Sequence, residues 1–189
     1  MLDSFENMPK LSGHTIFVVD VSGSMNSSIS EKSTLSRRDV AKSMAIIASS
    51  LCEKVSIYAT AGNDASSVHK TTLLPSRQGF GLGDLIDSAS PSLGGGGIFT
   101  RQCLNYILDK EQNKTPDRII IFSDSQDCDR NYTLPKPFGK FNYIIDVSSH
   151  SRGINYDGLW SAEISGWSEN FMNFIMGFEG LDIPEQELN

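Results

Sequence analysis

At 189 residues the chain has the length of a single domain with room for a substantial core. With 39% hydrophobic and 21% charged residues its composition is that of a soluble globular protein. A formal net charge of -7 and a pI near 4.9 argue against a generally basic surface that grips nucleic acid, leaving only a local patch for such a role.

The first residues, Met1-Leu2-Asp3-Ser4-Phe5-Glu6-Asn7, have neither the basic nor the apolar region of a signal peptide, and no apolar run approaches membrane-spanning length. A cytoplasmic protein without membrane contact is the expectation. Residues 1–12 read as an N-terminal extension, 13–180 as one domain, and 181–189 as an acidic tail expected to fray.

Apolar strands alternate with helical periodicity from end to end, which predicts an α/β fold with a mostly parallel, doubly wound sheet between two helical layers. Strand one is expected over 15–19. Ser36 then caps a helix, with Asp39 three residues on and Val40, Met44, Ile47 and Leu51 as its apolar stripe. A second strand follows over 55–61, and 67–74, bounded by Pro75, reads as an edge hairpin strand. Leu82, Leu85, Ile86 and Ala89 mark a short helix, and Cys103, Leu104, Ile107 and Leu108 a further one begun by Thr100 or Arg101. Strands over 118–122, 143–147 and 160–164 come next. Ser168 is expected to cap a last helix carrying Phe171, Phe174, Ile175 and Phe178.

Cys52, Cys103 and Cys128 are odd in number and lack C-x-x-C spacing, so neither a disulfide framework nor a zinc site is indicated. Cys52 and Cys103 are expected on helix core faces. His14, His69 and His150 fall in different elements and form no metal-ligating or nucleophile-base pair. Trp160 and Trp167 read as packing aromatics at the last strand and the last helix. Asp127, Asp129 and Asn131 imitate the start of a calcium loop, but Tyr132 and Phe138 stand where Gly and Glu are required, so a surface loop is expected there.

The apolar run Ile16-Phe17-Val18-Val19 leads directly into Asp20-Val21-Ser22-Gly23-Ser24. One carboxylate and two hydroxyls on alternate residues, where a buried strand ends, offer a hard cation three oxygens from one turn. A second run, Ile119-Ile120-Ile121-Phe122, ends in Ser123-Asp124, and between the two lies Gly94-Gly95-Gly96-Gly97-Ile98-Phe99-Thr100. The glycines precede no Lys and show no G-x-G-x-x-G spacing, so a tight turn approaching the Asp20 loop is expected rather than a phosphate cradle. In a doubly wound sheet of the common order, ligands bind beyond the carboxyl ends of strands one and four, which would bring Asp20 and Asp124 to one crevice.

These three segments resemble the von Willebrand factor A domain with its metal-ion-dependent adhesion site. The resemblance implies a Mg²⁺ site, with Mn²⁺ or Ca²⁺ as alternatives, formed by Asp20, Ser22, Ser24, Thr100 and Asp124. Ser22 and Ser24 would coordinate directly, Thr100 and Asp20 directly or through water, and Asp124 through water. In many members a Thr follows the glycines at once; here Ile98 holds that place and Thr100 comes two residues later. Within the family, Gly13-His14-Thr15-Ile16-Phe17-Val18-Val19-Asp20 and Ile164-Ser165-Gly166-Trp167-Ser168-Glu169-Asn170-Phe171 look most like the C-terminal domain of Ro (TROVE) ribonucleoproteins. Those join it to an RNA-holding helical ring for which this chain has no room.

The resemblance implies a non-enzymatic module that binds a partner protein, an acidic residue of which completes the metal's coordination. Alternative readings are a component of a Ro-like RNA–protein particle, associated with RNA only indirectly, and a metal-free interaction domain. Catalysis is not expected. Asp20 lacks the neighbouring acid of phosphoaspartate enzymes, and Ser22 lacks a G-x-S-x-G elbow and a base.

Overall fold

Strand β1 (Leu11–Asp20) is the spine of a six-stranded sheet with the order β3-β2-β1-β4-β5-β6. Its neighbours are β2 (Cys52–Asn63) and β4 (Arg118–Ser123), both parallel to it, with Val19 beside Ala59 on one side and Phe122 on the other. β5 (Phe141–Asp146) and β6 (Ala162–Ser165) extend the parallel side, and β3 (Val68–Leu73) closes the other edge antiparallel to β2, as the hairpin reading requires. The computed structural model describes residues 10–129, 136–148, 159–166 and 170–181.

The pleat divides β1 between two cores. Phe17 and Val19 face helices α1 (Arg37–Ser50), α2 (Phe80–Ala89) and α4 (Phe171–Phe178), whereas Ile16 and Val18 face α3 (Thr100–Lys110). Helices therefore cover both faces, giving the three-layer α/β arrangement expected from the alternating pattern. Phe17, Phe122 and Phe171 stack edge to face at 5.7 and 6.1 Å across the larger core.

The start of α1 is set by a reciprocal cap. The Ser36 hydroxyl accepts the Asp39 amide at 3.1 Å, and the Asp39 carboxylate accepts the Ser36 amide at 3.0 Å. The Ser36 hydroxyl also donates to that carboxylate at 2.6 Å, and this bond, with the one from the Ser36 amide, holds the Asp39 carboxyl below its ordinary range. Ser36→Ala is expected to remove about 1 kcal/mol of stability, read as a fall of roughly 3 °C in Tm by calorimetry.

Three expectations need correction. Cys52 begins β2 and is not on a helix, because α1 stops at Ser50 and the chain turns straight into the strand; Cys103 does lie on the buried face of α3. Asp127 and Asp129 are 2% and 5% exposed although Gln126 and Cys128, beside and between them, face solvent, so these two are not the solvated loop residues expected. Strand β6 starts two residues later than expected, and Trp160 rests against the α3-side core ahead of it. The expected Ser168 cap, and Asn131, Tyr132, His150 and Trp167, lie outside the described residues.

Candidate metal centre

Asp20 continues the alternation of Ile16 and Val18 and so projects toward the α3 side at the carboxyl edge of the sheet. The register places it in a polar row. Thr60 of β2 lies beside Asp20, while Ser123 of β4 lies beside Asp146 of β5, itself beside Ser165 of β6. The Ser123 hydroxyl joins the two halves by donating to Asp20 Oδ2 at 2.7 Å.

The other Asp20 oxygen accepts the Ser22 amide at 2.8 Å, a side-chain turn that ends the strand and leads into a short 3-10 helix at Gly23–Asn26. The hydroxyls of Ser22 and Ser24 lie 3.2 Å apart, the first buried and the second half-buried, so the pair runs from the interior toward solvent. The glycine loop closes over this turn: the Gly23 amide donates to the Gly96 carbonyl at 3.2 Å, and the Gly96 amide to that of Gly62 at 3.1 Å. A Cβ on Gly96 would stand 2.6 Å from the Gly62 oxygen, so this close approach requires glycine.

Thr100 is the first residue of α3 and not its cap. Phe99 holds the cap position without a side-chain bond, and the capping comes from beyond β4. Asp127 accepts the Thr100 amide at 3.2 Å together with the Thr100 hydroxyl, and Asp129 accepts the amides of Arg101 and Gln102 at 2.9 and 3.3 Å. A hydroxyl that donates to a carboxylate keeps its lone pairs for another partner. Ile98 is buried, bridges to Asp127 in parallel fashion, and gives its carbonyl to the Cys128 amide at 2.8 Å.

Asp124, one residue beyond β4, is also buried, and Arg37 of α1 reaches it. The Arg37 Nη1 donates to Asp124 Oδ2 at 2.6 Å, and the Gln126 amide to Oδ1 at 3.3 Å. Asp20 has no such counter-charge: among the described residues no Lys, Arg or His pairs with it. Burial therefore pushes its carboxyl up to about 6, opposed by the hydrogen bonds from Ser22 and Ser123 and reinforced by the Asp124 charge.

This donor set fits a hard divalent cation. It consists of oxygens, it contains a fully buried carboxylate with no cation beside it, and the Ser125 hydroxyl near Asp124 is buried without a partner. Asp20, Ser22 and Ser24 are held as one unit, and Asp124 acts on Asp20 through its charge. Thr100 belongs to the same end of the molecule, since both Asp20 and Asp127 act on the Cys103 thiol one turn into α3. Among the described residues no three His, Cys, Asp or Glu side chains form a metal-ligating group, so an ion here would lean on hydroxyls and water.

Sequence reasoning missed Arg37, Ser123 and the Asp127–Asp129 pair. An arginine in the first turn of a helix opposes the macrodipole, which is the signal that Arg37 has an acidic partner elsewhere. The first turn of α3 contains no acid and follows a Phe, which signals a cap supplied from another segment.

No family model matches the chain, and no curated protein matches its sequence. Among solved structures it is similar to the RO (RSR) protein of Deinococcus radiodurans, at 14% identity and a TM-score of 0.61 over 93% of this chain. The chain has a von Willebrand factor A-like fold. At that identity the likeness is one of fold, and this chain spans 36% of the Deinococcus protein's length. An aerotolerance-related membrane protein from Bacteroides fragilis aligns at 13% identity over 87% of this chain and 96% of its own, with a TM-score of 0.49. Among the described residues no helix is long and apolar enough to cross a membrane.

Proposed function

We propose that this chain is a non-enzymatic binding module in which Asp20, Ser22, Ser24, Thr100 and Asp124 hold Mg²⁺, or Mn²⁺ or Ca²⁺, and an acidic residue of a partner protein completes the ion's coordination. The reading is carried by Asp20, a carboxylate fully buried at the switch point between β1 and β4 with two serine hydroxyls beside it and no basic partner among the described residues. A divalent ion held by at most two carboxylates and neutral hydroxyls stays electrophilic enough to accept an oxygen ligand from an acidic group. Catalysis has little to work with, since the imidazoles of His14 and His69 bond Ser56 and Thr71 and not the site's hydroxyls.

Calorimetric titration of Mg²⁺ and Mn²⁺ into chelator-treated protein tests this. Heat of binding is expected in the wild type and is expected to vanish in both Asp20→Ala and Ser22→Ala. No heat at millimolar Mn²⁺, with the fold intact by circular dichroism, would leave a metal-free interaction domain.

A further inference from the structure

Arg37 occupies a place that a metal site would ordinarily deny to a cation. Its side chain is 9% exposed, and it spends Nη1 on Asp124, while Nε is buried with no hydrogen-bond partner. Buried arginines are rarely a net gain in stability over apolar residues of similar size. This one also stands at the positive end of α1, where the helix dipole opposes it. The position is held nonetheless: the Arg37 amide is tied to the Ser27 carbonyl at 2.9 Å, and the Ser36–Asp39 cap fixes the turn that carries it.

The charge count gives the pair a consequence for ligands. Among the proposed ligands and Arg37 alone, ionised Asp20 and Asp124 leave one net negative charge, and the buried Asp127 and Asp129 at the start of α3 add the same charge whether or not Arg37 is present. Within the first set a divalent ion converts the one negative charge to one positive charge, and an incoming carboxylate brings it to zero. Without Arg37 the same ion would leave that set neutral, and a carboxylate would then make it negative. Like charges brought within a few ångströms of one another in a buried site repel by more than thermal energy.

We propose that Arg37 sets the conditions under which the centre is occupied: it weakens binding of the bare divalent ion and favours the ion together with an acidic ligand. This rests on the metal reading above and assigns a role to a residue that reading does not contain. The metal-loaded site then discriminates for acids by charge, and a partner without a carboxylate gains nothing from the ion.

The experiment measures free Mn²⁺ by electron paramagnetic resonance in titrations of wild type, Arg37→Gln and Arg37→Lys, in chloride and in acetate at equal ionic strength. In chloride, Arg37→Gln is expected to bind Mn²⁺ at least about tenfold more tightly than wild type, and Arg37→Lys to stay near wild type. Acetate is expected to tighten Mn²⁺ binding to wild type and not to Arg37→Gln. Equal or weaker binding by folded Arg37→Gln overturns the role of Arg37 and leaves the metal site standing, whereas no binding by any of the three overturns both. Should Arg37→Gln fail to fold, Mg²⁺ titration of the wild type decides by nitrogen NMR. The Arg37 side-chain signals are expected to shift in step with the Ser22 and Ser24 amides, and Arg37 signals that stay fixed while those amides shift overturn the proposal.

Discussion

Asp20→Asn is expected to make the metal-free protein more stable than wild type at pH 7, by about 3 kcal/mol. Burial raises the Asp20 carboxyl from 3.8 to about 6 in the folded state, so between those two values the native chain keeps a proton that the unfolded chain has released. The unfolded state thus binds fewer protons, and stability contributed by this group falls as pH rises from about 3.8 through about 6, then stays low. Each unit of separation is worth about 1.4 kcal/mol, which gives the figure above. Asparagine keeps an oxygen for the Ser22 amide and offers its NH₂ to Ser123, so both hydrogen bonds survive without the buried charge. Urea unfolding of both proteins in chelator at pH 7 and pH 4 checks this: the variant's advantage should be present at the first and nearly gone at the second. Added Mn²⁺ should stabilise wild type and leave the variant unchanged, because only a native-state ligand shifts the balance. A variant less stable than wild type at pH 7 would mean that the Asp20 charge is already compensated inside the fold.

The largest loss is expected at the opposite end of the sheet, from Arg118→Ala. Arg118 Nε donates to both Glu179 oxygens at 2.7 Å, Nη1 reaches the Ser12 carbonyl at 2.7 Å, and the Tyr143 hydroxyl donates to Glu179 at 3.0 Å. The Arg118 and Glu179 side chains are 5% and 3% exposed. Burial, together with the Glu179 charge, raises the Tyr143 phenol well above its ordinary range. Removing the guanidinium strands a buried carboxylate, which costs about 3–5 kcal/mol, or roughly 10 °C in Tm. The loss should change little between low and high salt, since buried charges are weakly screened. The double variant Arg118→Met with Glu179→Leu should recover most of it, because no unpaired charge remains. A double variant as unstable as the single would place the energy in packing instead.

The chain's alternation of apolar runs and amphipathic stretches was enough to read the layers and the parallel sheet, and Ser36 with Asp39 was enough to start α1 at the right residue. The glycine run was legible for a similar local reason: Gly96 bonds both Gly23 and Gly62 through its backbone, and a Cβ there would stand 2.6 Å from the Gly62 oxygen. Asp20, Ser22 and Ser24 were legible because one turn contains them all. What stayed hidden is whatever a distant segment supplies. Asp127 and Asp129 look like solvated loop residues until α3 is seen to lack its own cap, and Arg37 looks like a surface charge until β4 delivers Asp124 to it. Pairings of that kind depend on three-dimensional placement and leave only indirect traces, such as a basic residue at the wrong end of a helix.

The hydrogen bond from Ser123 to Asp20 joins residues 103 apart in sequence. Every partial fold that lacks the β1–β4 pairing therefore has the Asp20 turn without Asp124 and its neighbours. Closing so long a loop is slow and comes at an entropic cost that local contacts do not meet. On the proposed metal reading, competence to bind an ion would arise in that single step, and a chain without the β1–β4 pairing would hold no half-strength version of the centre. Recovery of ion binding during refolding should consequently trail the early return of helical signal and coincide with the final cooperative phase.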